Sequence, residues 1–311
     1  MPRFLDDIRG GSLGCPWFVA ESMEDRWEEH TRKVSKLLEE DIPVLSIPNV
    51  AEYIFTGTDQ EYWDLKRDFP NLAPPYGRFW AEHHIPTKLR SKEKGDSDMS
   101  DMVSKGRIGV LVTALDAQEA NVPVGVDGIP KEAKWVLWCE LFVDYGAKVG
   151  KKCTAEGSHG PVFVLVDAEG RSLVRPWLQS FSGGKFEDVL PSLISWIHPT
   201  FLAMSFLHCK NVRVVDNKVD VKLAKRYRER HGRSPVEYKT LVIEPLKEIL
   251  RKEGRVSEVG LARALHICRG HFRDYREGRG LFGKYKQLVW TPMTVRGTKG
   301  KVQPPTVEVK I

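Results

Sequence analysis

No apolar run in the 311 residues approaches the roughly 20 that a membrane helix requires. The opening MPRFLDDIRGGSLG also lacks the apolar core of a secretory signal. Both absences predict a cytoplasmic chain with no membrane partner. Cysteine is scarce: Cys15, Cys139, Cys153, Cys209 and Cys268 are odd in number and widely spaced, with no CxxC pair. That argues against a disulfide framework and against a zinc ribbon. A mixed site drawn from His208, Cys209, His266, Cys268 and His271 matches no common zinc spacing. There is no G-x-x-x-x-G-K-[ST] loop, no G-x-S-x-G elbow and no H-E-x-x-H. Glu82-His83-His84 on a strand would set Glu82 and His84 on one face and His83 on the other, the pattern of a surface patch rather than a metal cluster. The sequence gives no reason to expect a metal or a cofactor.

What the chain does have is charge, unevenly placed. The net charge is only +6. Residues 205–311 nevertheless hold 25 Lys and Arg against 11 Asp and Glu, whereas residues 1–204 hold 23 against 31. A polyanion is drawn to the first end and repelled by the second. With 41% hydrophobic and 29% charged residues the chain can bury a substantial core. Two lobes are expected: an acidic α+β lobe over 1–204 suited to recognising a partner, and a basic lobe over 205–311 facing nucleic acid.

Periodicity supplies the elements. Ser22, followed three positions later by Asp25, is expected to cap a helix running to Glu40, with Trp27, Val34, Leu37 and Leu38 at helical spacing. The proline-broken stretch 42–54 reads as a short strand and turn, and 91–104 as a polar surface loop. Strands are predicted over 78–85, 107–115, 135–145 and 162–167, the last turning at 167–170 into 173–177. Residues 186–209 form the most apolar long segment and are expected to be a core helix bent at Pro199. A basic helix over 221–231, a strand over 238–243, a short helix over 245–252 and two tail strands over 265–275 and 288–295 complete the layout. The fold class is α+β: a mostly antiparallel sheet with packed helices and a basic C-terminal β-ribbon lobe.

The tail carries the chemistry. On a strand over 265–275, Arg269, His271, Arg273 and Tyr275 share one face, while Cys268, Gly270 and Phe272 turn inward. Two guanidiniums, an imidazole and a phenol in a row suit phosphate or a base. Lys284, Tyr285, Trp290 and Arg296 extend the surface, with Tyr275, Tyr285 and Trp290 as rings on which bases stack. Metal-independent RNA cleavage would ask for more: His271 and Tyr275 as acid and base, and Arg269 or Arg273 for the phosphorane. His266 falls on the opposite face, so it cannot pair with His271, and binding needs fewer coincidences than cleavage. The basic run 222–233 is either part of this surface or a solvated helix face. A purely protein-binding inhibitor, its acidic lobe against a basic partner, is a third class.

Arg269-Gly270-His271-Phe272, Tyr275, a glycine-bearing turn, Trp290-x-Pro292 and Val295 to Gly297 together resemble the C-terminus of an anti-CRISPR family, the second class of inhibitors of type V-A systems. The likeness spans about 35 C-terminal residues. Phe206 to Val212, which contains His208, Cys209, Lys210 and Asn211, is similar to a stretch of the family's phage and actinobacterial relatives. Cys268 stands where the inhibitor has a second arginine, and residues 1–204 share no convincing similarity with it. The resemblance implies a phage or mobile-element regulator in the host cytoplasm. Its partners would be RNA or a ribosome-associated message together with a nascent or folded protein target, and its effect the loss of a message. His208 to Asn211 reads equally as a packed helix end and as a binding element.

Overall fold

The computed structural model describes residues 4–10, 13–14, 21–55, 65–84, 106–120, 128–149, 152–173, 177–178, 190–209, 211–243, 266–268, 271–278, 280, 286–291 and 294–296. Its frame is one nine-stranded sheet. In chain order the strands are β1 (Val44–Ser46), β2 (Arg78–His84), β3 (Arg107–Asp116), β4 (Ala133–Val149), β5 (Lys152–Glu156), β6 (Pro161–Asp167), β7 (Trp177–Leu178), β8 (Val212–Asn217) and β9 (Tyr238–Ile243). They lie in the order β7-β6-β4-β3-β2-β1-β9-β8, with β5 also paired to β4. Only β1 is parallel to its neighbours, β2 and β9; the other pairings are antiparallel. The fold is therefore α+β, with a mostly antiparallel sheet.

Strand side chains alternate between two apolar layers. Phe79, Ala81, Ile108, Val110 and Val112 face one core, with α3 (Pro48–Phe55) and α5 (Leu190–Leu207) supplying Val50, Ile54, Phe201 and Met204. Trp80, Leu111 and Phe142 face the other, against Phe4, Leu5 and Ile8 of α1 (Phe4–Gly10) and Val34 and Leu38 of α2 (Glu24–Leu38). The short α4 (Leu65–Asp68) adds Leu65 to the first core. Gly109 is needed here, because a Cβ would lie 1.9 Å from the Trp80 ring.

Polar groups fasten the outer helices to the sheet. Arg107 bridges Asp7 of α1 and Asp144 of β4, at 2.6 Å each. Nearly buried Glu140 accepts from the Ser158 hydroxyl and the Trp138 indole, with His30 of α2 3.0 Å away. Trp27 Nε1 donates to the Ser158 carbonyl at 2.8 Å.

The differences from expectation have local causes. Helix α2 is preceded by a 3-10 turn over Glu21–Met23; Met23 is the N-cap and makes no side-chain cap bond, so Ser22 does not cap. Residues 48–55 are helical rather than a turn. Pro48 occupies the first position of α3, where its missing N–H costs nothing. The core helix runs through Pro199. The predicted loop over 91–104 and the helix over 245–252 lie outside the described residues. The boundary expected at residue 204 does not coincide with a break in the sheet. β9 pairs with β1, and Leu241, Leu288 and Trp290 share a core cluster with Phe79 and Val110.

Candidate nucleic-acid interface

The described parts of the two expected tail strands pair antiparallel in one register. β10 (His266–Cys268) pairs with β13 (Thr294–Arg296), and β11 (His271–Asp274) pairs with β12 (Leu288–Thr291). Along β11 the expected alternation holds: His271 is exposed and Phe272 packs inward. Phe272 meets Trp290 at 4.7 Å and Phe206 at 5.5 Å between ring centroids. Arg273 is half-buried, and its Nε donates to His271 Nε2 at 3.3 Å, so that imidazole nitrogen acts there as an acceptor. Directly across the ladder, Val289 is fully buried, so this face is partly covered. Tyr275 is half-buried, and its backbone N–H closes on the Gln287 carbonyl at 2.9 Å.

Trp290 departs from its expected role as a stacking platform. It is 5% exposed, lies edge-on to Phe206 at 5.0 Å, and belongs to the main core. The 206–212 stretch explains why. Asn211 accepts from the Trp290 N–H at 3.1 Å and donates to the Trp290 carbonyl at 2.9 Å. Cys209 bridges to Leu288. His208 Nε2 donates to the Ala73 carbonyl at 2.8 Å, and burial lowers the His208 pKa, favouring a neutral ring. Burial pushes the Cys209 thiol up to about 12, which leaves it protonated. His208, Cys209 and Asn211 therefore form a packed helix end on which the tail docks. Arg269, Lys284, Tyr285 and Lys210 lie outside the described residues, as does the side chain of Arg296.

Sequence reasoning missed a clamp and left the role of the basic helix open. Arg276 donates to the carbonyls of Glu169 at 3.0 Å and Pro70 at 3.1 Å, and pairs with Asp274 at 2.7 Å, fixing the tail to two core loops. α6 (Val221–His231) buries no residue. Its fold rests on its ends. Asp220 accepts from the N–H groups of Lys222 and Leu223, and Gly232 closes the helix at φ +70°. Tyr227 stacks on His231 at 4.3 Å, and burial together with Asp6 raises its pKa. Arg233 donates to the Asp6 carbonyl at 2.8 Å. The helix thus presents Lys222, Lys225, Arg226, Arg228 and Arg230 with one carboxylate, Glu229.

Glu82, His83 and His84 alternate as their spacing required, but they are not a surface patch. His83 is buried, and burial lowers its pKa to about 3. Glu82 accepts from Trp80 Nε1 at 3.0 Å and the Leu5 N–H at 3.3 Å. Among the described residues no helix is long and apolar enough to cross a membrane. Compared with known protein families, with curated proteins and with solved structures, the chain matches none.

Proposed function

We propose that this protein binds RNA, free or as a ribosome-associated message, through its basic C-terminal third and thereby lowers production of a target protein. The observation that carries this reading is α6: a helix that buries nothing, capped at both ends, with five cations and one carboxylate turned to water. Core-building does not account for such an element, whereas a polyanion partner does. The exposed His271 and adjacent Arg273 add a second cationic point on the same third of the chain. The tail's likeness to the second class of type V-A inhibitors supports a regulator that acts at the level of the message, from a phage or mobile element.

The test is RNA binding by fluorescence anisotropy across a salt series. Affinity should fall steeply as salt rises, and Arg269→Ala with Arg273→Ala should weaken it. Absence of salt-dependent binding would overturn the proposal. Cleavage of the RNA in EDTA, lost in His271→Ala while binding persists, would make the protein a nuclease instead.

A further inference from the structure

At 100° per residue, Lys222, Arg226 and Arg230 fall in one stripe along α6, each about one turn from the next. All three are exposed, and none makes an ion pair among the described residues. Ala224, Tyr227 and His231 fall on roughly the opposite side, where Tyr227 lies beside Asp6 and Arg233. The helix's one carboxylate, Glu229, borders the stripe, about 20° from the direction of Lys222, and lies 4.0 Å from Lys225 Nζ. The stripe therefore offers three cations at axial intervals of roughly 6 Å, turning about 40° per step.

We infer that this stripe docks on the phosphate backbone of double-helical RNA, an inference that rests on the RNA-binding reading above. Single strands are held on exposed rings that stack with unpaired bases. Among the described residues this surface exposes no phenylalanine, tyrosine or tryptophan ring. In α6 the half-buried Tyr227 lies beside Asp6 and Arg233, and the ring of His231 is stacked on it. The large apolar side chains exposed among the described residues are Val214, Val221 and Leu223, none of which carries a ring. Phe272 and Trp290 of the tail strands are packed against Phe206. What remains is a rod of fixed positive charge, and a duplex holds its phosphates at regular steps that match such a rod. Recognition would then follow backbone shape and charge rather than base identity.

A labelled RNA hairpin with a stem of about 16 base pairs and an unstructured RNA of equal length separate the cases. The native protein should bind the hairpin at least about tenfold more tightly. Replacing Lys222→Gln, Arg226→Gln and Arg230→Gln together should weaken hairpin binding on the order of a hundredfold at low salt and flatten its log–log salt dependence by about 2.5. Glutamine is a good helix former and none of these positions is buried, so an unchanged circular dichroism spectrum is expected. The charge-matched set Arg26→Gln, Arg32→Gln and Lys36→Gln on α2 should leave binding within about twofold. Equal binding of the two RNAs, or an unchanged salt slope in the α6 variant, would overturn duplex docking while the RNA-binding reading stands. No salt-dependent binding of either RNA by the native protein would remove both.

Discussion

Asn211 commits both ends of its amide to one backbone unit, that of Trp290, inside the core. Asn211→Ala leaves a buried N–H and a buried carbonyl without that partner, so a loss of about 1–3 kcal/mol is expected in urea unfolding. His271 is exposed, and His271→Ala should leave the unfolding midpoint within about 0.5 kcal/mol of native. Together the two variants separate the tail's anchor from its surface. At this scale the sequence disclosed the inward turn of Phe272 and the outward turn of His271, because strand alternation is local. The fate of Trp290 was not legible. Its ring could stack on a base or fill a core, and the choice depends on Phe206 and Asn211, about 80 residues earlier. Arg276 was hidden for the same reason, since its partners are carbonyls near residues 70 and 169.

Helix α6 has little tertiary support, and an 11-residue helix is marginal alone in water. Asp220→Ala removes acceptors for two N–H groups and should cost about 1 kcal/mol locally. Because the helix buries nothing, faster amide exchange within 221–231 should accompany an unchanged global urea midpoint. A large midpoint shift would show that α6 carries more of the fold than its burial implies. Its limits match the predicted ones because Asp220 and Gly232 mark both ends in the sequence. Helix α3 was missed because prolines at 43 and 48 suggest interruption, whereas Pro48 begins the helix.

Across the molecule, two buried histidines tie stability to pH. Burial lowers His83 to about 3 and His198 to about 4, against a usual value near 6.5. Between these limits the unfolded chain takes up protons that the folded chain refuses, so stability should fall as pH drops below 6.5. The slope approaches about 1.4 kcal/mol per pH unit for each histidine. Urea midpoints at pH 7, 6 and 5 should show this, with a shallower fall in His198→Gln; a flat native profile would contradict it. The charge asymmetry was legible from composition, but the expected lobes share one sheet. A fragment ending at residue 204 lacks β8 and β9 together with Leu241, Leu288 and Trp290 of the main core, so gel filtration should find it expanded or aggregated. The position of β1 has a consequence for biogenesis. One of its flanks is filled by β2 soon after it is made, but the other waits for β9, which leaves the ribosome far later. Until then a growing chain carries an open strand edge able to recruit the wrong neighbour, so a pause in translation before residue 243 should make the protein dependent on chaperones.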